Sequence, residues 1–413
     1  MPQNALIFSP GLDGHRQVYV FVIAQILKEL GFNIYILGNT REITPTSFYC
    51  ISKLREESNI TIIDTSKYPK DGFEISIQDF LDLQNTIKPS LTIFPEADCH
   101  LRLLISQVFR KKNRLRGKTV GIFMRPFFYY HEKMSIVDKL KYIKHLTPRL
   151  KKDESLFYDF FLKRFPILDT ALCIDEKFVA NHSYIKWLPD VFQQYTESIL
   201  KEEKSEERIW IEKLDQFTEK NKNKFHFLYF GTAQYRRGYD ILLNLAQKTG
   251  GCFIHCGLMN NNTKSDYNTS DLRSSLSKDG RLFETNQYLS DSLTIKHFFK
   301  SVSHLVLPYR KFYGSSGVML QALELGIPVL APDIGIIGYR ITKHNLGMTF
   351  NTQDMNSLET QFDHFKNINP QSFKKDIDTY MNFQTIEQLK SVLVNSFKSS
   401  DKTIMEPTTL SKV

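Results

Sequence analysis

The sequence predicts an α/β protein made of two Rossmann-like domains, each a doubly wound parallel sheet. Three observations carry the expectation. The chain has 413 residues, too many for one ordinary core and enough for two domains of about 150 to 200 residues each. Residues 5 to 37 run strand, loop, helix, strand, the opening of a right-handed βαβ unit. A second series of the same kind begins at Phe225, after a densely charged stretch over residues 201 to 224.

The first strand is the short apolar run Ala5-Leu6-Ile7-Phe8, which suits a strand buried on both faces. It ends in Ser9-Pro10-Gly11-Leu12-Asp13-Gly14, a loop signal. Val22, Ile23, Ile26, Leu27 and Leu30 then recur at helical spacing until Gly31 stops the helix. Further strands are expected at residues 32 to 37, 60 to 63, 91 to 94, 119 to 123 and 170 to 174, with helices at 79 to 86 and 101 to 109. Residues from about 130 to 165 are basic, aromatic and helical in pattern, an insertion. In the second series, strands are expected at 225 to 230, 252 to 255, 281 to 283, 305 to 307 and 329 to 331, forming one further sheet. Helices fall at about 239 to 248, 293 to 299 and 317 to 325, and two more at 373 to 380 and 385 to 397. The resulting division is 1–190, 191–384 and a returning C-terminal segment 385–413 with a flexible tail after residue 399.

Composition narrows the class. At 41% hydrophobic and 13% aromatic, with 19 Gly and 15 Pro, the chain is that of a packed globular protein. Its net charge of +9 favours anionic partners without choosing among nucleotide phosphates, an anionic membrane and nucleic acid. Five scattered cysteines, an odd number, argue against a disulfide framework and for a reducing, cytoplasmic setting. No stretch approaches the roughly 18 apolar residues that span a bilayer. A soluble or peripheral protein is expected.

The most informative segment is residues 304 to 332. Leu305-Val306-Leu307-Pro308-Tyr309 reads as a strand. A small-residue turn, Gly314-Ser315-Ser316-Gly317, then opens a helix that continues Val318-Met319-Leu320-Gln321-Ala322-Leu323-Glu324-Leu325. Helix N-termini present free N–H groups and the positive end of the helix dipole, and small residues let a diphosphate approach closely. An ordinary N-cap by serine is the alternative reading of the turn taken alone. The helix is followed by Gly326-Ile327-Pro328-Val329-Leu330-Ala331, and earlier in the chain stands Gly231-Thr232-Ala233-Gln234-Tyr235-Arg236-Arg237-Gly238-Tyr239-Asp240-Ile241-Leu242-Leu243.

Together these segments strongly resemble the nucleotide-binding domain of retaining GT-B enzymes, specifically glycosyltransferase family 4. The resemblance is specific over about residues 225 to 350, moderate over 1 to 37 and architectural between. It implies a GT-B fold, two domains facing across a cleft, and transfer of a sugar from a nucleoside diphosphate sugar to a hydroxyl of a glycan or lipid-linked acceptor, with retention. It implies that Arg237 stands where the family has its diphosphate-gripping Lys, with Arg236 beside it and Thr232 in place of the family's first Arg. It also implies no metal cofactor. The chain departs from the family at its paired glutamates, which are here Tyr313 and Gln321. Gln321 keeps one acceptor oxygen for ribose hydroxyls and loses the charge. Two rival readings stay open: a GT-B sugar-nucleotide epimerase, and a catalytically silent nucleotide- or glycan-binding protein.

In the first half, the resemblance places the loop ending in Gly14 toward donor phosphates and acceptor. His15 and Arg16 are candidate contacts, or plain helix-start surface residues. The loop Pro95-Glu96-Ala97-Asp98-Cys99-His100 follows a strand end and brings Glu96, Asp98 and His100 together. A base for the acceptor hydroxyl is one reading, and helix capping by Asp98 is the other. Arg125 ends the next strand similarly. Cys252-Phe253-Ile254-His255-Cys256 is not read as a metal site, because on a strand Cys252 and His255 point to opposite faces and no second Cys/His pair supplies the remaining ligands. The basic runs at 110 to 118 and 139 to 152 suit anionic lipid headgroups or two solvated helix faces. Nucleic-acid binding is not expected, since no recognised module is present.

Overall fold

The computed structural model describes residues 2–9, 15–39, 53–67, 70–71, 74–101, 103–104, 115–124, 126, 167–191, 205–259, 269–289, 292–310, 312–352 and 354–398. The chain divides into two compact units, Met1–Val191 together with Ile386–Val413, and Phe192–Thr385.

The first unit is a seven-stranded parallel sheet. Its elements are β1 (Asn4–Phe8), α1 (His15–Glu29), β2 (Asn33–Gly38) and β3 (Ile60–Asp64), then a small antiparallel hairpin of β4 (Lys70–Asp71) and β5 (Glu74–Ile75). They continue with α2 (Ile77–Ile87), β6 (Leu91–Phe94), β7 (Lys118–Phe123), β8 (Thr170–Cys173), α3 (Glu176–Val179) and β9 (Ile185–Trp187). The strand order is β3-β2-β1-β6-β7-β8-β9. Ala5, Leu6, Ile7 and Phe8 are all buried, as are all four residues of β6 and of β8. That continuous burial is what a parallel sheet covered on both faces requires. Ser76 caps α2 by accepting the Asp79 N–H at 3.1 Å. The order reverses between β1 and β6, and such a switch point is where open α/β sheets place ligands.

The second unit contains α4 (Ile209–Lys220), β10 (His226–Phe230), α5 (Tyr239–Thr249), β11 (Cys252–Cys256), α6 (Thr269–Lys278), β12 (Leu282–Glu284) and α7 (Ser292–Lys300). It continues with β13 (Leu305–Val306), α8 (Gly317–Glu324), β14 (Val329–Pro332), α9 (Gly335–His344), β15 (Gly347–Phe350), α10 (Met355–Phe365) and α11 (Lys374–Met381). Its six strands pair in parallel as two three-stranded sheets, β10-β11-β12 and β13-β14-β15, and not as the one sheet expected. β10 and β13 nevertheless lie side by side. The ladder breaks because β13 has two residues before Pro308, which has no N–H to donate, and the Tyr309 N–H turns back to Leu307 O at 2.8 Å.

The last helix, α12 (Ile386–Lys398), belongs to the first unit and packs on α1, where Lys390 comes within 3.7 Å of Glu29. Leu389, Leu393 and Phe397, four residues apart, form its buried face. Several short or polar elements (the β4–β5 hairpin, α3, β9, α6) and the whole stretch from α9 to α10 were not anticipated. The insertion at about 130 to 165, most of the helix expected at 101 to 109 and the tail after 399 lie outside the described residues. Cys99, Cys173, Cys252 and Cys256 are free thiols. Among the described residues no helix is long and apolar enough to cross a membrane. Leu393→Ala should cost about 2 to 5 kcal/mol through the cavity left in the face of α12, read as a lowered denaturation midpoint.

Candidate functional site

At the switch point of the first unit, the loop after β6 forms a short 3-10 turn, Ala97–His100, immediately beyond Phe94. His100 is 1% exposed and its ring stacks on Phe8 with centroids 4.5 Å apart and on Phe94 at 5.7 Å. Asp98 is 8% exposed, and its Oδ2 accepts the Met124 N–H at 2.6 Å, tying the loop to the end of β7. The helix that Asp98 was expected to cap lies largely outside the described residues. Both side chains sit in the interior. Glu96 accepts from Cys99 Sγ at 3.5 Å. His15 and Arg16 begin α1, and their side chains, Gly14 and Arg125 lie outside the described residues.

The second unit assembles its site from three segments, beginning with the turn after β10. Gly231 has φ +99, donates its N–H to Cys256 O at 2.8 Å, and lies beneath the Arg237 guanidinium. A Cβ at position 231 would stand 2.7 Å from Arg237 Nη1, so only glycine leaves that seat open. The Tyr229 hydroxyl braces the turn, accepting the Gln234 N–H at 3.0 Å and donating to Thr232 O at 3.3 Å. Burial pushes that phenol well up, which keeps it a donor. Arg237 itself is half-buried, and among the described residues no carboxylate pairs with it. Arg236 is exposed and lies 5.9 Å from the Phe312 ring centre.

The second segment is the loop after β13. Arg310 donates through Nη1 and Nη2 to the two carboxylate oxygens of Asp240, each at 2.7 Å, and from Nη1 to Tyr235 O at 2.8 Å. Its guanidinium stacks 3.9 Å from the Tyr235 ring centre, and its own N–H donates to Arg236 O at 2.8 Å. Such bidentate, planar pairing is what arginine supplies and lysine cannot. Gly238, at φ +69, lets Pro308 approach so closely that a Cβ would fall 2.1 Å from Pro308 O. The Arg236–Arg237 turn and the loop leading to residue 314 are thus fastened into one piece.

The third segment is the start of α8. Ser316 is its N-cap: Oγ accepts the Met319 N–H at 3.2 Å and meets the Tyr309 hydroxyl at 3.0 Å. Ser316 O takes the Leu320 N–H. The N–H groups of Gly317 and Val318 have no partner among the described residues and stand at the positive end of the helix. Burial raises the Tyr309 phenol against the opposing pull of the Arg237 charge, the Ser316 hydrogen bond and the Arg236 charge. Arg340 of α9, fully buried, donates to Ser315 Oγ at 2.9 Å. Tyr313 is half-buried and its carbonyl accepts the Ile336 N–H at 3.3 Å, while Gly314 is buried. Gln321, one turn into α8 and 7% exposed, has its Oε1 buried without a hydrogen-bond partner.

Behind the Gly231 turn lies a buried polar group. Glu284, at the end of β12, receives Arg273 Nε at 3.0 Å and Nη2 at 2.6 Å, and the Tyr239 hydroxyl at 3.2 Å. Burial alone would raise the Glu284 carboxyl, but His255 and Arg273 hold it down to about 2. Among the described residues no cluster of three or more His, Cys, Asp or Glu is arranged to hold a metal ion.

The structure brings together Arg236, Arg237 and residues 313 to 318 with Gln321, all of them read from the sequence. Arg310, Asp240, Arg340 and Glu284 were missed, because a surface-looking Arg or Asp acquires a role only when a partner far along the chain is known.

No family model and no curated protein matches the sequence. Solved structures do resemble the fold. A glycosyltransferase from Rickettsia africae ESF-5 is 13% identical, with a TM-score of 0.60 over 97% of this chain and 100% of the other. WaaG, a glycosyltransferase involved in lipopolysaccharide biosynthesis, is 11% identical, with a TM-score of 0.59 over 96% and 100%. Anabaena HepE, solved in complex with UDP, is 12% identical, with a TM-score of 0.56 over 96% of each chain. At these identities the likeness establishes the fold, which is GT-B.

Two outcomes follow from this geometry. Gly238→Ala combines a left-handed backbone with the clash against Pro308 O and should destabilise the second unit by at least about 1 to 3 kcal/mol, seen by denaturant unfolding. Glu284 is ionised in the folded state down to about pH 2, against about 4.3 when unfolded. Its contribution, roughly 2 to 3 kcal/mol, is therefore complete above that unfolded value and is lost as pH falls toward 2. Glu284→Gln should lower the unfolding free energy at pH 7, with the deficit relative to wild type shrinking as unfolding is repeated at pH 5, 4 and 3.

Proposed function

We propose that this protein is a glycosyltransferase, moving a sugar from a nucleoside diphosphate sugar to a hydroxyl of a glycan or lipid-linked acceptor, with retention at the anomeric carbon. The observation that carries the reading is the conjunction of an unpaired guanidinium, Arg237, with the two open N–H groups of Gly317 and Val318 in one fastened assembly. A diphosphate has the charge to pair with the first and the oxygens to accept from the second. Gly314 and Ser315 keep the approach free of bulk. The buried, unpartnered Gln321 Oε1 supports an acceptor for a ribose hydroxyl, the task the family resemblance gives that position.

In this reading the protein contributes electrostatics. As the bond between the anomeric carbon and the diphosphate oxygen breaks, charge grows on the departing diphosphate, and Arg237, Arg236 and the α8 N-terminus stabilise it. No metal takes part, because fixed cationic and N–H groups do the work. The GT-B fold and the UDP bound in HepE support the donor class, and the involvement of WaaG in lipopolysaccharide biosynthesis supports a glycan acceptor. The chain works in the cytoplasm, at the inner face of the membrane when its acceptor is lipid-linked.

Tyr313 and Gln321 favour one second reading. With neither position carrying a carboxylate, a nucleotide-binding protein without turnover would show the same donor site. Incubation with labelled donor sugars, with and without candidate acceptors, separates the two, since only the enzyme consumes donor.

Nucleoside diphosphates should raise the melting temperature. At 100 times Kd the gain is about 2.7 kcal/mol, and a panel of UDP, GDP, ADP and their sugars without any shift would refute the donor site. Arg237→Ala should weaken binding of the stabilising nucleotide about 10- to 100-fold in isothermal titration, and transfer should persist in EDTA.

A further inference from the structure

The Arg237 seat depends on the Gly231 turn, and that turn is held from beneath by a side chain with no place in the proposed chemistry. His255 lies on β11 with no exposure to solvent. Its Nε2 is 3.1 Å from Gly231 O. A carbonyl only accepts, so Nε2 carries the proton. On the other side of the ring, Nδ1 is 3.8 Å from Glu284 Oε1, beyond hydrogen-bond range, an ion-pair contact only when the ring carries both protons. Glu284 is in turn fixed by both nitrogens of Arg273 and by the Tyr239 hydroxyl. The rings of Tyr229 and Tyr239 meet the imidazole at centroid distances of 5.5 and 5.2 Å and leave it little room to turn.

The consequences run to the surface of the turn. Gly231 is pinned at both backbone groups, by Cys256 O at its N–H and by His255 at its carbonyl. With φ at +99 and no side chain, glycine would otherwise have the widest conformational choice in the segment. Arg237 lies directly over it, close enough that one added carbon would displace the guanidinium. Any rotation of the Gly231 peptide therefore moves the floor on which the diphosphate-binding cation rests.

We propose that His255, steadied by Glu284 and Arg273, is a positioning residue that sets the Arg237 guanidinium for the donor diphosphate by locking the Gly231 carbonyl. The inference rests on the donor-site reading above. It goes beyond it by assigning diphosphate affinity to a buried strand residue that touches no ligand.

A double-mutant cycle on the full-length protein tests it, with His255→Leu and Arg237→Ala made singly and together, and affinity for the nucleoside diphosphate measured alongside that of the matching nucleoside. His255→Leu should weaken the diphosphate by about tenfold and leave the nucleoside unchanged. In the Arg237→Ala background it should add little. His255→Gln, which keeps an N–H donor, should recover most of the affinity. Melting temperatures of all variants accompany the cycle, and Glu284→Gln serves as a second probe should His255→Leu fail to fold. If Arg237→Ala weakens the diphosphate but the two substitutions act additively, or if nucleoside and diphosphate weaken alike, His255 is structural and the positioning role is wrong. If Arg237→Ala has no effect, the donor site itself falls, and this role with it.

Discussion

The second unit is organised around a cation, Arg237, with which no carboxylate pairs among the described residues. Arg237 stays half-buried over Gly231 because three conditions hold together: residue 231 has no Cβ, its peptide is gripped from both ends, and the turn is stitched by Arg310 to the loop after β13. An exposed arginine is normally solvated or paired on the surface. Holding one half-buried, with no carboxylate against it among the described residues, needs a rigid mount. The assembly of Asp240, Arg310, Tyr235 and Pro308 is that mount, and the capped start of α8 stands beside it.

The first unit shows the opposite treatment of polar groups. Asp98 and His100 lie at a sheet switch point, where a ligand contact is a reasonable expectation, and there the carboxylate accepts a backbone N–H and the imidazole packs among phenylalanines. Residue type and position along a strand do not say which neighbours a side chain meets. Local packing does. His100, three residues beyond Ala97, has its neighbours chosen in part by β1, nearly a hundred residues upstream.

The outline of the fold was legible because the strands of a buried parallel sheet are short apolar runs punctuated by Gly, Pro and Asn, as in residues 5 to 8 and 329 to 331. The turn at 314 to 317 and the Arg236–Arg237 pair were legible for a similar reason: their chemistry is local and their order along the chain is distinctive. What remained hidden was non-local or brief. β9 has three residues and no periodicity to detect. The break between the two small sheets follows from Pro308 and the length of β13, which looked from sequence like an ordinary strand. His255 sat in a segment weighed only for metal binding, and its relation to Gly231 and Glu284 exists only through strand register.

The bidentate pair between Asp240 and Arg310 joins segments 70 residues apart, and it bears on how such a site can diverge. A preformed scaffold loses little entropy when a nucleotide arrives, so discrimination among sugars falls to the few side chains that the scaffold presents and not to loop rearrangement. Gln321, one turn into α8, is not among the residues that form the clamp. Under the donor-site proposal, descent from a common ancestor can redirect sugar preference outside the clamp while the phosphate grip is inherited intact.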